Sequence, residues 1–144
     1  MPVKGTYCLC INVEEDISIK VGALGEIDFP SGTYIYVGSA LNSLLPRLER
    51  HLKNSRGEHD VTHWHIDYLL RDPNVSIESI YMNDNGEKLE CAIADKIAAR
   101  GEPTPRFGCS DCRCVSHLYN VDSFSFLKKM GLKKMFRGFP LLPG

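Results

Sequence analysis

The chain has no apolar stretch approaching the roughly 20 residues that a membrane-spanning helix needs, and Met1-Pro2-Val3-Lys4-Gly5 lacks the long apolar segment of a signal peptide. No membrane association is expected, and a cytoplasmic setting is the default expectation. A strong charge bias is missing too, since the net charge is −1 at pH 7. This argues against binding nucleic acid by bulk electrostatics, which needs clustered Lys and Arg to neutralise phosphates. Acids are absent from one region in particular: Ser123 to Gly144 carries Lys128, Lys129, Lys133, Lys134 and Arg137 with no Asp or Glu. That region reads either as a solvated helix face or as a phosphate-contacting surface. There is no domain-scale repeat; Leu127-Lys128-Lys129-Met130 and Leu132-Lys133-Lys134-Met135 are a local echo.

What is present fits one globular domain over residues 1–144, with 43% apolar and 24% charged residues. Without an export signal, the six cysteines are expected to be reduced thiols, metal ligands or buried small hydrophobes rather than disulfides.

Gly5 to Val13 reads as a strand, and its run Tyr7-Cys8-Leu9-Cys10-Ile11 is too apolar for a strand with one wet face. Ile17 to Val21 and Glu26 to Phe29, joined by Gly22-Ala23-Leu24-Gly25, predict a hairpin. Thr33 to Val37 predicts another strand ending at Gly38. Leu41, Leu44, Leu45, Leu48 and Leu52 then fall at helical spacing, with Ser43 as N-cap and Pro46 in the first turn. Further on, the pattern predicts a helix from Thr62 to Leu70 stopped by Asp72-Pro73, a strand over Ser76 to Met82 and a turn at Asn83-Asp84-Asn85-Gly86. A helix from about Lys88 to Arg100, with Gly101 as its stop, and a basic amphipathic helix over Ser123 to Phe136, weakened by Gly131, complete the reading.

Five residues stand out as chemistry: Tyr7 in Gly5-Thr6-Tyr7, Tyr36 in Tyr36-Val37-Gly38-Ser39, Arg47 and His51 one helical turn apart, and Glu90 on a later helix. Alone, each has an ordinary reading: a strand aromatic in packing contact, or an exposed helix side chain. Together they offer what phosphodiester hydrolysis requires: a base, cations for growing phosphate charge, and a carboxylate for a hard cation that retains waters. A free phenol, with pKa about 10, needs nearby positive charge or hydrogen bonds to act as base near neutrality.

In order and type these motifs resemble the signature of the GIY-YIG nucleases, with Thr6 and Val37 where the family name has isoleucine. Both are β-branched and suit the same strands. The resemblance covers a core of residues 5–101, followed over 107–144 by a Cys/His segment and a basic C-terminal helix. It implies an α/β (α+β) fold with a small mixed sheet flanked by helices and interrupted by the inserted hairpin, and a DNA endonuclease dependent on Mg²⁺ or Mn²⁺. Tyr7 would activate water, with Tyr36 lining the same site; Arg47 and His51 would stabilise phosphate charge, and Glu90 would bind the metal. His63-Trp64-His65-Ile66-Asp67-Tyr68, Glu90-Cys91 and the segment Phe107 to His117 look like an uncharacterised, largely archaeal branch of that family, sometimes fused to base-excision glycosylases. DNA, structured, nicked or damaged, is the implied partner, in repair or processing and beside a repair protein.

Cys109, Cys112, Cys114 and His117, joined by Cys91, also offer thiolate and imidazole ligands for a structural Zn²⁺, although the spacing is not that of a standard finger and a Cys-x-Cys pair often reflects packing. His63 and Asp67 are expected to make a helix-surface contact, and Trp64 and Tyr68 to join the core. Two readings other than nuclease stay open: a non-catalytic nucleic-acid-binding module and a zinc-stabilised interaction domain.

Overall fold

A computed structural model of the protein describes residues 5–40, 65–83, 90–104, 107, 116–130 and 132–135. The strands are β1 (Gly5–Val13), β2 (Ile17–Lys20), β3 (Glu26–Phe29), β4 (Gly32–Ala40), β5 (Val75–Asn83), β6 (Gly101–Pro103), β7 (Leu118–Val121) and β8 (Lys133–Met135). Helix α1 spans His65–Leu70 and α2 spans Glu90–Ala98, with 3-10 turns at Gly22–Leu24 and Ser125–Met130. The helix expected from Ser43, the Thr62 cap and the turn from Asp84 to Gly86 lie outside the described residues.

Six strands form one sheet in the order β6-β7-β4-β1-β5-β8, and β2 pairs with β3 as a separate hairpin. The class is α+β, and the inserted hairpin is where the sequence put it. Every described pairing is antiparallel. The reason is topological: β4 and β5 run the same way, but β1 lies between them and pairs antiparallel with both. The crossover from β4 to β5 therefore skips a strand, as in a split βαβ unit.

Paired on both sides, β1 is the centre of the sheet, and Tyr7, Cys8, Leu9, Cys10 and Ile11 are all buried, as the unbroken apolar run required. Its alternate residues divide the core. Tyr7, Leu9, Ile11 and Val13 join Tyr34, Tyr36, Ile80 and Met82 on one face, covered by Ile66, Leu69 and Leu70 of α1 and by Val21 and Phe29 of the hairpin. Cys8 and Cys10 join Ile35, Val37, Tyr81 and Tyr119 on the other, covered by Ile93, Ala94 and Ile97 of α2 and by Phe126 and Leu127.

In β5 the register shifts between Cys10 and Ile11: Cys10 faces Ser79, and Ile11 faces Ile77. A one-residue slip reverses which side chains face the core. The bulge thus brings Val75 and Ile77 onto the same face as Ile80 and Met82.

Helix α1 has six residues, too few to persist alone. Burial of its three apolar side chains, worth roughly 2 kcal/mol each before entropy, holds it in place. It ends where expected, because Asp72 accepts hydrogen bonds from Asn74 N on Oδ1 (2.8 Å) and from Val75 N on its carbonyl (3.0 Å). Tyr68 packs against the core, as expected; Trp64 lies outside the described residues.

Two C-terminal expectations are corrected. Instead of one helix to Phe136, a 3-10 turn ends at Met130, and Lys133–Met135 pairs with Ile80–Met82 as β8. Gly131 is a poor helix interior residue, and the open edge of β5 offers backbone partners that a helix continuation would forgo. Gly101, expected only as a helix stop, opens β6, where a β-carbon would lie 2.5 Å from the Asn120 carbonyl oxygen.

Candidate functional site

Tyr7 and Gly38 face each other across β1 and β4. A β-carbon built on Gly38 would overlap Cζ and Oη of Tyr7 and come within 2.8 Å of Cε2. The phenol therefore lies directly over the glycine, and the two tyrosine motifs form one cross-strand unit. Leu9 is the partner of Tyr36, so Tyr36 occupies the diagonal position beside Tyr7 on the same face. Tyr7 is 2% exposed and Tyr36 7%. Thr6 and Val37 turn to the opposite side and are fully buried, so both β-branched residues fit their strands.

Around Tyr36 lies an aromatic cluster. Phe107 is fully buried and meets Tyr36 edge-on at 6.1 Å, Phe29 at 6.1 Å and His65 at 5.6 Å. Burial holds the His65 imidazolium below its ordinary pKa of 6.5, favouring the neutral ring. Two residues on, Asp67 is fully buried, which overturns the expected helix-surface contact; His63 lies outside the described residues. Asp67 precedes Leu70 by three, on the helix side that packs against the sheet, and this spacing was the available signal. A buried carboxylate requires polar partners, and Asp67 is engaged by at least one.

The Cys/His segment starts and ends at this cluster. His117 N donates to the Phe107 carbonyl (2.8 Å), Thr104 N to Leu118 O (2.9 Å), and Val37 N to His117 O (2.8 Å). Phe107 and His117, at the two ends of the Cys/His segment, are thus joined to each other beside β4. Ser116 and His117 are buried there, and Tyr119 Oη donates to Ser116 O at 2.9 Å. Sequence reading missed Phe107 as a packing centre, since nothing local marks one phenylalanine in a polar, cysteine-rich stretch.

Of the remaining candidates, Arg47, His51, Cys109, Cys112 and Cys114 lie outside the described residues. Glu90 and Cys91 are the first two residues of α2, and their side chains lie outside the described set as well. The apolar side of α2 packs on the face opposite the tyrosines. Asn83 at the end of β5 pairs with Thr6, and six residues separate it from Glu90. Helix α2 therefore begins within roughly 25 Å of the sheet end that carries Tyr7. Among the described residues, no three His, Cys, Asp or Glu side chains gather to hold a metal ion.

A model of the family described as "Domain of unknown function DUF123" matches residues 6–139. The chain belongs to that family. The DUF123 match begins inside β1 and runs past β8, so it takes in both motif tyrosines, Glu90 and the Cys/His segment. No curated protein and no solved structure matches the chain significantly.

Proposed function

We propose that this chain is a GIY-YIG-type endonuclease that hydrolyses DNA phosphodiester bonds in repair or processing. The observation that carries the reading is the seating of the Tyr7 phenol over Gly38 with Tyr36 beside it, which gives both motif tyrosines and the motif glycine one shared purpose. In this reading positive charge from Arg47, His51 and the metal favours the Tyr7 phenolate, which takes a proton from the attacking water. Tyr36 orients that water by hydrogen bonding, and Arg47 and His51 hold the phosphate and balance its growing charge. Glu90 suits Mg²⁺ or Mn²⁺, because a hard ion that retains its waters needs only one or two carboxylates. When bound, the metal supplies positive charge at the phosphate oxygens.

Glu90→Ala and Tyr7→Phe should each abolish Mg²⁺-dependent nicking of structured DNA while leaving DNA binding largely intact. Wild-type protein that cuts no nicked, branched or damaged substrate with either metal overturns the reading. The burial of Tyr7 and Tyr36 favours a second one, a nucleic-acid-binding module in which the tyrosines only pack. The hydrogen bond that joins Phe107 to His117 supports a third, in which Cys91, Cys109, Cys112, Cys114 and His117 hold a structural Zn²⁺ and present an interaction surface to a repair partner.

A further inference from the structure

On the face of the sheet opposite the tyrosines, a cleft of about 300 Å³ is lined by Lys96, Arg100, Phe126, Lys129 and Met130. Three of the five lining residues are cations and none is an acid. Lys96 belongs to the last turn of α2, and Arg100 to the turn that follows, tied back by its N–H to Ile97 O at 2.9 Å. Lys129 comes from the 3-10 turn Ser125–Met130. Phe126 is 8% exposed and rooted in the core beneath, with the Arg100 guanidinium 5.0 Å from its ring centroid.

Cations at the end of a helix favour its dipole, which accounts for Lys96 and Arg100. It does not account for Lys129, which a separate segment brings to the same concavity. Like charges around a small cleft repel one another, and an anion seated between them removes that cost. The aromatic and thioether floor gives such an anion an apolar surface on which a sugar can rest, and Arg100, already placed over the ring, retains donors for phosphate oxygens.

The geometry points to this cleft as a contact site for the phosphodiester backbone of DNA, remote from the tyrosine cluster. The inference deepens the proposed function and rests on it for the choice of DNA among polyanions. It also moves the basic surface: the cations that converge include one from α2 and one from the turn that follows it, which the run of lysines after Ser123 did not suggest.

Anisotropy of a labelled duplex of about 20 base pairs, titrated with the full chain between roughly 50 and 200 mM salt without divalent ions, tests it. The Lys96→Gln/Arg100→Gln/Lys129→Gln variant should bind about tenfold or more weakly, and the slope of log K against log salt should fall by about 2 to 3. Should the triple variant fail to fold, Lys96→Glu and Lys129→Glu, each at an exposed position, should weaken binding singly, and Lys129→Arg should restore it. Unchanged affinity and slope overturn the site, as does a wild-type protein that binds no DNA at low salt. Loss of polyglutamate binding with DNA binding intact also overturns it, by making the cleft an acidic-peptide site. Cleft-dependent binding without any nicking sinks only the nuclease reading; nicking with binding indifferent to the cleft sinks only this one.

Discussion

At Gly38 the obstacle to a side chain is the Tyr7 ring, not the backbone conformation. Gly38→Ala must push the phenol off the strand, and overpacking of this kind costs about 1–3 kcal/mol. Urea unfolding should show that loss in the wild-type background and much less of it in Tyr7→Leu, where the flat ring is gone. Additive effects of the two substitutions would mean that the glycine serves something other than the ring. Gly25 illustrates the other use of glycine, with φ 80° and ψ −160° in the hairpin turn and no atom within 4 Å of a would-be β-carbon. There the backbone itself excludes side chains.

At the scale of elements, β1 is the clearest case of sequence dictating placement. An apolar run without alternation needs cover on both faces, and β1 has it from α1 and the hairpin on one side and α2 on the other. One result is that Cys8 and Cys10 are inert: burial, and then the neighbouring Cys10 thiol, push the Cys8 pKa well above its ordinary value. Alkylation of native protein mapped by mass spectrometry should therefore label Cys8 and Cys10 only on unfolding. If the Cys/His segment holds zinc, chelation should raise labelling at Cys109, Cys112 and Cys114 without changing Cys8 or Cys10. Early labelling of Cys8 would contradict its burial. Elements with weak local signals were harder to read. Gly101–Pro103 and Leu118–Val121 are too short to show a period, and Lys133–Met135 is a strand because it meets the edge of β5. Residues 17–29, with alternation and turn chemistry in one window, were read correctly as a hairpin.

At the scale of the whole molecule, buried and half-buried titratable groups on both faces contribute to the pH dependence of stability. Partial burial lowers the His65 pKa, so the unfolded chain binds the extra proton first as pH falls below 6.5, and stability declines there. Cys8, Tyr34 and Tyr81 have raised pKa values, so the unfolded chain loses protons first above their ordinary values of 9.0 and 10.0, and stability declines again. Thermal midpoints measured against pH should form a plateau between about 6.5 and 9. His65→Phe should flatten the acid limb, and an unchanged acid limb would show that His65 does not govern it.

The sequence alone determined what depends on neighbours along the chain: the central burial of β1, the hairpin, the stop after α1 at Asp72-Pro73 and the residue types of the two tyrosine motifs. Periodicity, turn chemistry and composition act over a few residues and can be read there. Tertiary structure alone decided that Tyr7 rests on Gly38, that Asp67 is sealed under the helix, that Phe107 joins Tyr36 to His65, and that Lys129 meets Lys96 and Arg100 across a cleft. Each of these joins residues far apart in the chain or fixes a depth of burial, and only the register and stacking of the assembled sheet set such distances.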